Sequence, residues 1–202
     1  KQGQEILAQI RQMRLESYTA LGWNPYSKEN SKLIQDEFDD APTTTHFAIY
    51  ENDLLIGSHR ATRYSKEHGL PCLKSGHSLA IFKTRNKSIS ELTRLVLRQD
   101  RKYPGCVLQL AHSMIRYTLD NGSKAVCTLG VESARELFEH IGTRQVHGLI
   151  SVPIDSQQDK LLSIAALPMY GDLSTLNRAI DLEKYTMERV LYVVKPLDEH
   201  SK

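Results

Sequence analysis

"ISELTRLVLRQDRKYPGCVLQLAHSMIRYTLDNG" spans residues 89–122. Its first part, rich in Ile, Leu, Val and Thr, reads as a half-buried strand that carries two opposite charges, Glu91 and Arg94. The basic turn "RQDRKYPG" follows, and then an amphipathic helix with Leu108, Ala111, Ile115 and Leu119 on one face. Asp120-Asn121-Gly122 stops that helix, with Gly122 suited to a left-handed position just past its end. Successive strand residues point to opposite faces, so Glu91 and Arg94 share a face only if the strand is kinked between them. The two charges are either an ordinary ion pair or part of a reaction site.

Outward from this stretch, the apolar residues Ile6, Leu7, Ile10, Met13 and Leu21 recur at helical spacing over 4–21, and Gly22 ends the pattern. An irregular stretch then runs to Asp40, with a short helical chance at "KLIQDEF". "THFAIYEND" and "LLIGSHRATRY" flank Asn52-Asp53 as a hairpin. Residues 65–78 read as a loop with room for an edge strand. Downstream, "KAVCTLG" is a short buried strand, "ESARELFEHIG" a helix closed by Gly142, and "QVHGLISVPI" a strand limited by Pro153. Beyond Asp155 the pattern loosens: Leu161 to Tyr170 is apolar, and "STLNRAIDLEKYTMERVLYVV" reads as a charged helix. The order predicts a mixed α/β (α+β) fold, a largely antiparallel central sheet flanked by helices. One domain over 1–202 is expected, with a tail from about 155.

Composition narrows the function. A formal net charge of +2 is too small for a dedicated nucleic-acid binder, which needs a concentrated basic face. No apolar run reaches the length of a membrane span; "LLSIAALPMY" is the longest and holds a Pro. The polar start does not resemble a signal peptide, and a cytoplasmic location is expected. Cys72, Cys106 and Cys127 are far apart, no pair has metal-ligand spacing, and they read as reduced packing thiols. His46, His59, His68, His77, His140 and His147 show no ligand spacing either, and His112 pairs only with Arg116 along its helix. No metal is expected, and no G-x-S-x-G, H-E-x-x-H or Walker pattern occurs. What remains is a set of charges on neighbouring segments: Asp36 and Asp39 in "DEFDD", Arg60 in the second hairpin strand, and Glu91 with Arg94.

In order and context these residues resemble a family. Ala134, Phe138 and Gly142 around "ELFEHIG" look like a segment of GNAT-fold acyltransferases, and residues 89–122 resemble the acyl-donor element of that fold. The first half is similar to the acyl-homoserine lactone synthases: Arg14 with Tyr18, Leu21-Gly22-Trp23, Asp36 with Asp39, Gly57 with Arg60, and "ELTR" at Glu91 to Arg94 follow their order. Tyr18 stands where that pattern has Phe. Pro104 and Cys106 interrupt the usual CoA-pyrophosphate glycines, leaving Gly105, and Phe138 replaces the Tyr acid of many GNAT enzymes. With its divergent tail the chain is similar to the long-chain N-acyl amino acid synthases.

That resemblance implies a fatty acyl chain delivered as the phosphopantetheine thioester of acyl carrier protein, with no tightly bound cofactor. It implies an amino acid, tyrosine among the candidates, as acceptor. Amide formation needs a neutral amine, and Glu91, directly or through a water, is the candidate base. Arg60 or Arg94 would grip the acceptor carboxylate. Asp36 and Asp39 would attract its ammonium or hold the arginines. Arg14, Tyr18 and Trp23 complete the expected substrate-binding set. Arg98, Arg101 and Lys102, with Gly105, would meet the phosphopantetheine phosphate or the carrier protein. The rival readings are a homoserine lactone synthase using S-adenosylmethionine, a CoA-dependent N-acetyltransferase, and a non-catalytic binding module for acyl carrier protein or acyl amino acids.

Overall fold

The turn at Asn52-Asp53 organises the sheet. Both residues have positive φ, 50° and 59°, the twist a two-residue hairpin requires, and Glu51 faces Leu54 across it. The structure is a computed structural model of the 202-residue chain and describes residues 2–20, 34–74, 88–98, 100, 102, 105–130, 139, 144–145, 152–153, 165–172 and 189–195. Strands β1 (Thr44–Glu51) and β2 (Leu54–Arg63) form the hairpin, and β3 (Ile89–Leu97) pairs antiparallel with β2. β4 (Ala125–Gly130) then lies parallel to β3. The further strands are β5 (Arg144–Gln145), β6 (Val152–Pro153), β7 (Ala165–Asp172) and β8 (Arg189–Val194). The sheet order is β5-β7-β4-β3-β2-β1-β8, with β6 beside β7.

Helix α1 (Gln2–Ala20) covers one face of the sheet. Its buried stripe, Ile6, Leu7, Ile10, Met13, Arg14, Ser17 and Tyr18, follows the helical period, with an arginine inside it. Helix α3 (Cys106–Asp120) covers the other face, against Phe47, Ile49, Ile56, Ala61 and Leu92. Its buried side is Cys106, Leu110, Ala111, Met114, Ile115 and Thr118. The contact face is therefore rotated from the one expected, and Leu108 is only half-buried. Gly122, at φ 78°, closes α3: its N–H reaches Leu119 O, and the Ser123 N–H reaches Thr118 O, both at 2.9 Å.

Three expectations are corrected. The 65–78 loop holds no paired edge strand among its described residues; Ser65 and Gly69 close a tight turn, and a short helix, α2 (Pro71–Lys74), follows. Arg189–Val194 is strand β8, not helix, in keeping with its run of β-branched and aromatic residues. The helical chance at "KLIQDEF" does not extend through Asp36–Asp39, which lies in a turn; Ile34 is helical, and residues 32–33 lie outside the described residues. The stretch after Asp155 supplies β7 and β8 to the central sheet, where they pair with β4 and β1. Of "ESARELFEHIG" only Glu139 is described, so the expected Ala134, Phe138 and Gly142 lie outside the described residues.

Candidate active site

The kink that would bring Glu91 and Arg94 together is present. Arg60 faces Thr93 and Ser58 faces Val96, so Arg94 and Leu95 both stand opposite His59. That extra residue is a β-bulge, and Arg94 takes a left-handed backbone at φ 60°. Glu91, Thr93 and Val96 share the α1 side of the sheet as register partners of Thr62, Arg60 and Ser58. The Arg94 side chain reaches the same side, where it donates to Asp36 Oδ2 at 2.8 Å. Leu95 packs into the opposite core beneath α3.

On the α1 side, charge is concentrated in a buried network. Arg14 Nη1 donates to Asp39 Oδ2 at 2.8 Å and to Ile34 O at 2.9 Å. Arg60 Nη1 donates to Asp39 Oδ1 at 2.8 Å and Asp36 Oδ1 at 2.5 Å, and Nη2 to Asp36 Oδ2 at 3.1 Å. Arg60 Nε donates to Thr93 Oγ1 at 3.0 Å. The turn holds its own acids in place: Phe38 N–H donates to Asp36 Oδ1 at 2.9 Å, and His46 Nε2 bonds Asp39 O at 2.9 Å. Lys74 pairs with Glu37, tying α2 to this turn, and the Phe38 ring centroid lies 5.1 Å from Lys74 Nζ and 6.0 Å from Arg60 Cζ. Among the described residues three arginines, Arg14, Arg60 and Arg94, face two aspartates, Asp36 and Asp39.

This geometry changes the expected roles. Every nitrogen of the Arg60 guanidinium already donates, and the residue is 1% exposed. Arg60 is thus a post holding Asp36 and Asp39 rather than a grip for an incoming carboxylate. Arg14, at 0% exposure, and Asp39, at 1%, are likewise sealed inside. Of the two aspartate roles considered, holding the arginines is the one this geometry displays. Arg94 and Asp36 form the outer edge, their side chains 15% and 10% exposed. Asp36 is held well below the ordinary carboxylate range: burial works to raise it, but the Arg60 and Arg94 bonds and charges prevail. Burial works to lower Arg94, yet Tyr18 and Asp36 outweigh it and raise its basicity. Tyr18 is buried in the α1 stripe, and Trp23 lies outside the described residues.

Glu91 is held apart from the arginines. It is fully buried, makes no ion pair among the described residues, and takes the Cys72 backbone N–H onto Oε2 at 2.7 Å. Burial pushes its carboxyl up to about 7, against the pull of the Cys72 bonds and the Arg60 charge. Pairing between β3 and β4 stops at Glu91 and Cys127, while both strands continue beyond it. Glu91 thus sits at the apex of a fork between parallel strands.

The basic turn is less basic than its letters suggest, because Arg98 Nε donates to Asp100 Oδ2 at 2.9 Å. Lys102 is exposed, and Arg101 lies outside the described residues. Gly105, left-handed at φ 72°, caps the start of α3. A hollow of about 350 Å³ lined by Glu5, Gln9, Tyr50, Asp53 and Tyr192 opens at the hairpin end of α1. The register puts it at the opposite end of β2 from Thr62 and Glu91.

Sequence reading missed Thr93, Cys72 and Cys127 around the site, and the burial of His46 and His59 beside it. Thr93 was within reach, as the third letter of "ELTR". The two cysteines were not, because their approach to Glu91 depends on long-range pairing.

A family model for N-acyl amino acid synthase FeeM matches residues 9–153. FeeM itself, from uncultured soil microbes, is similar in structure at a TM-score of 0.65 and 15% identity, covering 85% of this chain and 93% of that one. BjaI, a CoA-dependent acyl-homoserine lactone synthase, superposes at 0.62 with 18% identity over 89% and 81% of the two chains. A Staphylococcus aureus acetyltransferase of the GNAT family gives 0.56 at 8% identity over 84% and 94%. No curated protein sequence matches. The fold is of the GNAT type.

Proposed function

Because this chain belongs to the FeeM family of N-acyl amino acid synthases, we propose that it moves a long-chain fatty acyl group from the phosphopantetheine thioester of acyl carrier protein to the α-amine of an amino acid, tyrosine first among the acceptors. The observation that carries the reading is Glu91: a buried carboxylate poised near 7 at the strand fork, beside the arginine–aspartate cluster. A free α-amine titrates near about 8, so a base poised near neutrality suffices to take its proton. The amine nitrogen then attacks the thioester carbonyl, the C–N bond forms and the C–S bond breaks. The proton on Glu91 passes, directly or through a water, to the departing thiolate.

Arg94, at the outer edge of the network, is the residue to meet the acceptor carboxylate. The interruption of the ladder at Arg94–Leu95 is where backbone N–H groups would turn toward the thioester oxygen. The amides that open α3 behind Gly105, with Arg98, Arg101 and Lys102, would receive the phosphopantetheine phosphate and the acidic carrier. These substrates place the reaction in the cytoplasm, and no helix among the described residues is long and apolar enough to cross a membrane.

Incubation with acyl carrier protein or CoA thioesters, and with a panel of amino acids plus S-adenosylmethionine, tests the reading by mass analysis of products. N-acyl amino acids made from the carrier thioester are expected. Acyl-homoserine lactone as the sole product would replace the proposal. Glu91→Gln is expected to slow transfer at least about a hundredfold with its circular dichroism unchanged; near-normal turnover would remove Glu91 as base.

A further inference from the structure

Cys72, Glu91 and Cys127 meet from three separate segments, α2, β3 and β4. One atom from each, two thiol sulfurs and a carboxylate oxygen, lies within 4.8 Å of the other two. All three residues are closed to solvent, at 1%, 0% and 1% exposure. The sheet fixes two of them, since Glu91 and Cys127 are register partners in the parallel pair. The third is brought in by α2, whose Cys72 N–H holds Glu91 Oε2. The other carboxylate oxygen, Oε1, is buried without a hydrogen-bond partner.

We propose that this cluster binds a single thiophilic divalent cation of the zinc type, through the two sulfurs and the Glu91 carboxylate, with a fourth position left for a water or other small ligand. Thiolates bound at about 2.3 Å around a tetrahedral ion stand about 3.8 Å apart, so the two sulfurs need to close by about 1 Å at most, and each sulfur and the carboxylate oxygen by slightly more. Two sulfurs select a soft cation over magnesium or calcium. Ion binding also gives the orphaned Oε1 side of the carboxylate a partner it otherwise lacks. The bland alternative is packing, since both thiols adjoin Leu70, Ile89 and Ala125. Packing, however, leaves the buried Oε1 of Glu91 without a partner. Cys106 belongs to a different core cluster and serves as the internal control.

Titration of the reduced, metal-free protein with Co²⁺ is expected to show one saturable site with a thiolate-to-cobalt charge-transfer band in the near ultraviolet. Cys72→Ser and Cys127→Ser should each weaken binding at least about tenfold, Cys106→Ala should leave it unchanged, and Mg²⁺ should not compete. X-ray absorption on the Zn²⁺-loaded wild-type protein reads the ligands without any substitution, and two sulfurs are expected. A zinc shell without sulfur overturns the proposal, as does a cobalt band that survives when Cys72 and Cys127 are both Ser. Binding does not depend on the reaction proposed above. Where Glu91 is the base, the metal-loaded form is inactive, so two bound sulfurs with full turnover would keep the site and remove Glu91 from that role.

Discussion

Arg94 carries a local backbone cost in the candidate site. A non-glycine residue at φ 60° gives up about 1–2 kcal/mol of backbone energy, and here that conformation accompanies the turn of a strand side chain toward Asp36. The result is a division of labour that charge type alone could not reveal. Arg94 stands with the acids, while Glu91 is left to burial. Transfer rates should therefore rise with pH and level off above about 7, the value to which burial lifts Glu91. A rate profile flat from pH 5.5 to 8.5 would sink its role as base. Arg14 has a different function. Replacing it with Met leaves Asp39 buried without one of its cations, and breaking a buried pair in this way costs about 3–5 kcal/mol. Urea denaturation should show that loss. The residues of this network were legible in the sequence as a set, because Arg14, Asp36, Asp39, Arg60 and Arg94 recur in the order of a known pattern. Their division into sealed posts and an outer edge was not, because exposure is decided by segments far apart along the chain.

Among the elements, the hairpin, β3 and α3 announce themselves through short-range signals: a positive-φ turn, an apolar strand and a left-handed stop. The bulge does not, since neither "ELTR" nor its neighbours holds a glycine to mark it. β8 was hidden for another reason, because its strand residues follow directly on a charged, helix-like run and only β1 can tell them apart. The seating of α3 on β2 depends on Gly57. A Cβ there would come within 3.0 Å of Cys106 Sγ, Leu110 Cδ1 and Leu97 Cδ2. Gly57→Ala should thus cost about 1–3 kcal/mol through overpacking, measured as a lower denaturation midpoint with an unchanged slope. The turn before α3 has a functional rather than a structural test. Reversing the charges of Arg98, Arg101 and Lys102 should impair use of the carrier-protein thioester more than use of a small thioester. Equal loss with both donors would count against docking there.

For the molecule as a whole, three buried groups shape the response to acid. Burial lowers His46 to about 4 and His59 to about 3 from an ordinary 6.5, so both stay neutral in the fold where the unfolded chain binds their protons. Glu91 acts in the opposite sense, raised from 4.5 to about 7, and keeps a proton in the fold that the unfolded chain has released. Between about pH 4.5 and 6.5, unfolding thus takes up two protons on these two buried histidines and gives one up at Glu91, counting these three described groups. Stability should fall as pH drops through that window, by about 1.4 kcal/mol per pH unit for the net proton. Glu91→Gln removes the opposing term and should roughly double the slope, to be read from urea midpoints at pH 5, 5.5 and 6. A slope unchanged by that substitution would mean that Glu91 is ionised throughout.

The place of β8 sets a constraint on synthesis. β1 enters the sheet early in the chain, yet its outer edge is paired by Arg189–Val194. While the ribosome is still making the intervening residues, β1 presents an open row of amides and carbonyls to its surroundings. Such an edge invites pairing with another nascent chain. From the synthesis of β1 until that of Arg189 the nascent protein therefore carries an adhesive flank, and a chain stopped short of Arg189 would keep that flank permanently.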